Sequence, residues 1–142
     1  MTQLPHLRFE KILRENKLKV TQPRLQVLAM VAEKKAAISQ PELEKKLGSS
    51  IDRVTLYRAL SAFEEKGILH KIFDLQGTAT YALCSNSCTH QHHHDQHLHF
   101  LCERCNNVFC LDEFVLPQIN LPAGYTLNSV HVHAIGLCPS CS

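Results

Sequence analysis

Two Cys-x-x-Cys pairs, Cys102-Glu-Arg-Cys105 and Cys138-Pro-Ser-Cys141, limit what this chain can fold into more than any other feature of its sequence. Each pair sets two thiolates within reach of one ion, about 2.3 Å from each sulfur when the ion is zinc, and together they supply a closed tetrahedral set of four. A redox pair or disulfides are the competing readings. The first ten residues lack the apolar core of a secretory leader, so the chain reads as cytoplasmic, where structural disulfides are rare. Neither pair sits in a thioredoxin-like strand-helix-strand context. One structural zinc per protomer is therefore expected, with no open coordination position. The segment that carries it, 97–142, is too short to rely on an apolar core of its own. Zinc in such a site contributes on the order of 10 kcal/mol of apparent folding free energy.

The rest of the sequence has a different chemistry. The formal net charge is only +2. Up to Leu75, however, there are 14 Lys and Arg against 9 Asp and Glu, and beyond it 1 against 4. All seven cysteines and eight of the ten histidines lie in the second part. One part suits a polyanion and the other a metal. No run approaches the roughly 18 apolar residues of a membrane helix, so no membrane partner is expected. There is no His-Glu-x-x-His, no deaminase-type His-x-Glu with Pro-Cys-x-x-Cys, and no visible nucleophile and base pair. Neither enzyme activity nor a small-molecule substrate is expected.

The basic part reads as helices followed by a hairpin. Phe9, Ile12 and Leu13 place a first helix over 7–16. Thr21 caps a second, with Pro23 in its first turn and Leu25, Leu28 and Ala32 on one face. Ser39-Gln-Pro-Glu42 fits a capping box, with Ile38 and Leu43 as its staple, before a short helix that Gly48 stops. Ser49 or Ser50 caps a fourth helix in which Leu56, Ala59, Leu60 and Phe63 form the apolar stripe, ending at Gly67. Thr55, Tyr57, Arg58 and Ser61 lie on its other face. Residues 68–73 and 78–83 are β-prone and joined by Asp74-Leu-Gln-Gly77, the composition of a hairpin. Helices followed by a two-stranded wing make a winged helix. The expected fold is thus α+β: a winged-helix DNA-binding domain over 1–84, a His-rich hinge over 85–96 and a small metal-binding α/β domain over 97–142. Strands are expected at 97–101, 107–111 and 126–135.

Many ligand-type residues remain once the four cysteines are set aside. His97 and His99 alternate along a strand and can point at a common ion. His70 begins the wing and Cys84 ends it. Three imidazoles and a thiolate suit Zn2+ better than Fe2+ or Mn2+, which favour carboxylate oxygen. His90 and the run His92, His93 and His94 read as a solvated polar loop. His131 and His133 read as a surface strand face. Cys88 and Cys110 stay open between ligand and small buried thiol.

Four segments now carry a resemblance. Lys19-Val-Thr-Gln-Pro-Arg24, Asp52-Arg-Val-Thr-Leu-Tyr-Arg-Ala-Leu60, His97-Leu-His-Phe-Leu-Cys-Glu-Arg-Cys105 and Gly136-Leu-Cys-Pro-Ser-Cys141 resemble, in order, the signatures of the ferric-uptake-regulator superfamily. The resemblance covers nearly the whole chain. It implies a homodimeric winged-helix repressor with a C-terminal dimerisation domain, a structural four-cysteine zinc and a regulatory hinge metal that switches on DNA binding. Leu69-His70-Lys71, Tyr81-Ala-Leu-Cys84 and the His97, His99 pair look most like the zinc-uptake-regulator branch. That branch implies His70, Cys84, His97 and His99 as ligands of at least one regulatory zinc per protomer, with Cys110, at the place of a family carboxylate, as the alternative ligand. Ala37 stands where iron- and peroxide-sensing members usually have a histidine. Pro117 and Pro122 hold any helix in 114–122 to about one or two turns, where the family has a longer dimerisation helix.

The fourth helix is then the recognition helix, and two copies in a dimer read a palindromic operator in double-stranded DNA. Tyr57 can meet a thymine methyl, unless it packs under the wing. Arg53 and Arg58 can reach phosphate or a guanine edge beside Thr55, and Lys19 and Arg24 are candidate backbone contacts. The expected function is zinc-dependent repression of zinc acquisition. An iron- or peroxide-responsive regulator is the nearest alternative, and a zinc-buffering protein using the His-rich loop a more distant one.

Overall fold

In a computed structural model, residues 4–83, 98–111, 117–128 and 130–142 are described. The chain begins with α1 (Leu4–Glu15), which buries Phe9 and Leu13. Thr21 caps α2 (Gln22–Glu33), its hydroxyl accepting from the Arg24 amide at 3.4 Å. A two-residue strand, β1 (Ile38–Ser39), leads into α3 (Gln40–Leu47). Ser39 caps α3 by accepting from the Glu42 amide at 3.2 Å. The Glu42 carboxylate meets Lys34 at 2.8 Å and Lys46 at 3.7 Å.

The cap of α4 (Arg53–Glu65) differs from expectation. It is Asp52, whose carboxylate accepts from the Thr55 amide at 2.9 Å, and not Ser49 or Ser50. Gly48, at φ 58°, ends α3 and lets residues 48–50 form a 3-10 turn, so the cap falls two residues past Ser50. Leu56, Ala59, Leu60 and Phe63 of α4 are buried against α1, α2 and α3. Phe63 is fully enclosed.

The wing is β2 (Leu69–Phe73) against β3 (Ala79–Leu83), antiparallel, with Leu69 opposite Leu83 and Phe73 opposite Ala79. Asp74 closes its turn by accepting from the amides of Gln76 at 3.0 Å and Thr78 at 2.8 Å. β1 adds to the other edge of β3, giving the order β1-β3-β2. This third strand is too short to show any periodicity in the sequence.

A second sheet follows in the order β5-β4-β6, from β4 (Leu98–Cys102), β5 (Val108–Leu111) and β6 (Val132–Gly136). β4 runs antiparallel to β5 and parallel to β6. β6 is half the strand expected over 126–135. Among the described residues of 117–131 there is no helix or strand, because Pro122 and Gly124, at φ 93°, turn the chain there. Gly136 lies under the Phe100 ring, where a β-carbon would meet Phe100 Cζ at 3.2 Å. The expected hinge over 85–96 lies outside the described residues. No helix among those described is long and apolar enough to cross a membrane.

The two sheets are sewn together. The Ala37 amide donates to the Val108 carbonyl at 2.7 Å. Around that bond Ala37, Ile72, Leu101 and Val108 form a buried cluster with Ala82 and Cys110 packed against it. Removing the Phe63 ring should leave a void that the three surrounding helices cannot close. Phe63→Ala is expected to lower the unfolding free energy by about 3–5 kcal/mol, read from urea denaturation.

Candidate metal centre and nucleic-acid interface

The four cysteines converge as their spacing predicts. Their sulfurs all lie within 4.8 Å of one another, and they form the one such ligand group among the described residues. Cys102 and Cys138 are buried and Cys105 is exposed. The first knuckle turns because Asn106 adopts φ 60° and its amide returns to the Cys102 carbonyl at 2.9 Å. The second turns through the Cys141 amide donating to the Cys138 carbonyl at 2.9 Å. Arg104 bridges the two by donating to the Cys141 carbonyl at 2.6 Å.

The four thiols are not equivalent. Backbone amides of Cys105 and Cys138 aim at Cys102 and bring its thiol down to about 6, so it is a thiolate near neutral pH. Cys141 is pushed up to about 12, chiefly by sharing a hydrogen bond with Cys138. The Cys102 sulfur is ready for a cation, and at Cys141 the cation must displace a proton. Such a cluster fits a structural zinc site, with sulfur donors and no open position.

A second group of ligand-type residues lies where the sheets meet. His70 on β2 and His99 on β4 are 1% and 2% exposed, with ring centroids 6.3 Å apart. Across the second sheet His99 pairs with Cys110 on one side and His133 on the other. The His133 ring stands edge-on to His99, with centroids 5.6 Å apart. Of the expected regulatory set, the structure brings His70 and His99 together, with Cys110 beside them. Cys84 and His97 lie outside the described residues, as do Cys88, His90 and His92 to His94. Ala37 is buried at the same seam.

His133 was expected on a surface strand face and not among the ligands. It is exposed, as a surface strand face should be, but it also touches His99. The available signal was the alternation of His131 and His133. Only the parallel pairing of β6 with β4 turns that alternation into proximity.

The other face of α4 is open. Arg53, Val54, Tyr57, Arg58 and Ser61 are exposed and Thr55 is half-buried. Tyr57 is 58% exposed, so it does not pack under the wing. Arg53 contacts Glu44 of α3 at 3.3 Å while remaining largely solvated. Lys19 is exposed, and Arg24 donates to the Lys19 carbonyl at 2.7 Å, bracing the turn between α1 and α2. These groups present donors and an aromatic ring on one helix face, capped at its N-terminus and held from behind by the core.

Comparison with known proteins agrees with this layout. The profile of the Ferric uptake regulator family matches residues 15–135. The zinc uptake regulation protein of Escherichia coli (strain K12) is 31% identical over 143 residues, covering 93% of this chain and 78% of that protein. The ferric uptake regulation protein of Vibrio anguillarum is 34% identical over 110 residues, covering 75% of this chain and 68% of that one. A solved zinc uptake regulator complexed with zinc and DNA superimposes with a TM-score of 0.70 at 26% identity, covering 99% of this chain and 94% of the other.

Cys138→Ser removes a buried sulfur from the four-cysteine cluster. The variant is expected to lose one tightly held metal ion per chain and the hydrogen-exchange protection of β4, read by metal analysis and exchange mass spectrometry. Acid should have the same effect, because protons compete with the metal for the thiolates and the affinity falls as pH falls.

Proposed function

This chain belongs to the ferric uptake regulator family, and we propose that it is a zinc-responsive transcriptional repressor that binds palindromic operator DNA as a homodimer. Members of this family are metal-responsive, DNA-binding transcription regulators. The observation that carries the zinc reading is the meeting of His70 and His99, two buried imidazoles from the two sheets, beside the Cys110 thiol. Two imidazoles set edge-on to one another from two different sheets, with a thiol beside them, are donors of the kind zinc takes. Nitrogen and sulfur donors favour Zn2+ over Fe2+ and Mn2+. Ala37 brings only a methyl group to the seam.

In this reading His70, Cys84, His97 and His99 hold the regulatory ion, with Cys110 as alternative ligand, and the four-cysteine cluster holds structural zinc. Bound there, zinc supplies a positive charge and a demand for tetrahedral donors drawn from both sheets. His70 and His99 can meet that demand together only in one relative orientation of wing and second sheet, so the loaded state selects that orientation. Residues 1–84 are the DNA-binding domain, 85–96 the hinge and 97–142 the dimerisation domain. Dimerisation is supported by the apolar side chains exposed in 111–127, among them Ile119, Leu121, Tyr125 and Leu127. In the dimer, the α4 helices enter successive major grooves. Tyr57, Arg58, Arg53 and Thr55 face the bases and phosphates, and Lys19 and Arg24 the backbone. An operator-bound repressor of this kind acts in the cytoplasm.

An iron-responsive regulator is the second reading, favoured by the 34% identity to a ferric uptake regulation protein. Operator retention with Zn2+, Fe2+ or Mn2+ separates the two. Retention is expected with Zn2+, and His70→Ala and His99→Ala should each lose roughly tenfold or more of that affinity while keeping the four-cysteine ion. Unchanged zinc-dependent binding in both variants would remove the junction from the mechanism. On the DNA face, Tyr57→Ala is expected to weaken specific binding by about 1–3 kcal/mol. Lys19→Ala should weaken all sequences alike and reduce the salt slope by about one. Both are checked by fluorescence anisotropy over a salt series.

A further inference from the structure

The face of the second sheet that meets the wing carries two cross-strand rows. One is Cys110, His99 and His133, and the next is Val108, Leu101 and Ile135, each running from β5 through β4 to β6. In both rows the β6 member is the most exposed. Val108 and Leu101 are sealed by Ile72 and Ala37, whereas Ile135 is 60% exposed. His99 is buried, whereas His133 is exposed. The wing therefore covers β5 and β4 and stops short of β6. β6 is an edge strand, paired among the described residues with β4 alone. Yet the His133 ring still touches His99, which in turn faces His70. The three imidazoles form a file from solvent to the seam.

Resting on the junction as the regulatory centre, we propose that His133 is its exchange ligand, a solvent-facing imidazole that takes zinc from water or from a carrier, hands it to His99, and receives it again on release. Zinc is here the sensed ion and the cargo of the step. Moving a bare divalent ion into a seam closed to water would forfeit its hydration before donors replaced it, at a large desolvation cost. Zinc has no d-electron preference for one geometry and passes through five-coordination, so donors can replace one another singly. A zinc–nitrogen bond to His99 forms as the one to His133 breaks. One zinc–nitrogen bond is broken for each one formed. Because a transient ligand lowers the barrier in both directions, it speeds loading and release equally and leaves Kd unchanged.

The test uses the whole protein with its four-cysteine site loaded. Stopped-flow loading with Zn2+ and removal by EDTA are followed in wild type, His133→Ala and His133→Phe. The phenylalanine keeps a ring against His99 without a donor. Both rates are expected to fall roughly tenfold in both variants, with Kd unchanged. Wild-type rates in both variants would overturn the proposal. So would recovery of the rates in His133→Phe, which would make ring packing the cause, or a weakened Kd with unchanged loading, which would make His133 a permanent ligand. His70→Ala runs alongside. If it loses the second ion while the His133 variants exchange normally, only the exchange role fails. If it keeps that ion with unaltered Kd, the junction centre fails as well.

Discussion

The second sheet cannot bury itself. Among the described residues beyond the wing, Leu101 and Val108 are the only buried aliphatic side chains, and what seals them is Ile72 and Ala37 of the other sheet. Two such side chains contribute about 3–6 kcal/mol, whereas fixing each backbone residue costs about 1–2 kcal/mol. The unit therefore depends on two supports from outside its own apolar packing. One is an ion in the four-cysteine cluster. The other is the wing, through the cluster of apolar side chains and the Ala37 to Val108 hydrogen bond. Where the wing sits on the second sheet is consequently part of what makes that sheet stable, and a ligand of the seam acts on an equilibrium the fold has already made sensitive.

The same seam has a short mechanical path to the helix face that would meet DNA. α4 ends in a tight turn at Gly67, φ 74°, and the Ile68 amide returns to the Phe63 carbonyl at 2.8 Å. His70 follows on β2, five residues beyond the helix end. Lys71 reaches back to Glu64 at 3.8 Å, a solvated pair that adds little energy. The stronger link is Phe63 and Leu69, both buried in one core. A displacement of β2 is therefore carried to α4 by packed side chains rather than by a flexible loop. By this path His70, one of only two histidines in the basic part of the sequence, would join the proposed metal site to the helix face proposed to read DNA.

What could be read from the sequence is what local spacing encodes. The thiolate pairs, the apolar stripe of α4, the Thr21 and Ser39 caps and the wing with its Asp74 turn all arise from residues a few positions apart, and all are present. The misses share a different cause. Ser49 and Ser50 are good cap residues by type, but the positive-φ glycine before them diverts the chain into a 3-10 turn and leaves the role to Asp52. β1 exists because β3 offers an edge, not because Ile38 and Ser39 show a pattern. His133 reads as a surface residue until a parallel pairing across more than thirty residues sets it against His99. The His70 and His99 encounter was legible only as far as the family resemblance carried it, because burial at a seam has no period in the sequence.

In the proposed mechanism β4 ties the junction to the four-cysteine cluster. His99 and Cys102 lie three residues apart on it, so the strand that would supply a ligand to the junction also carries the thiol that backbone amides lower to about 6. Ordering β4 costs conformational entropy once. When the structural ion has met that cost, an ion at the junction binds a strand already in place and gains affinity without any new contact. Linkage makes the effect reciprocal, so occupation of the junction also tightens the hold on the structural ion. A closed site, with four sulfurs and no exchangeable position, would fill first, and the proposed imidazole site would then load on a fixed scaffold. A sensor needs that order. If the scaffold loosened over the same range of free zinc as the regulatory site, loss of the signal and loss of the fold could not be told apart by the DNA.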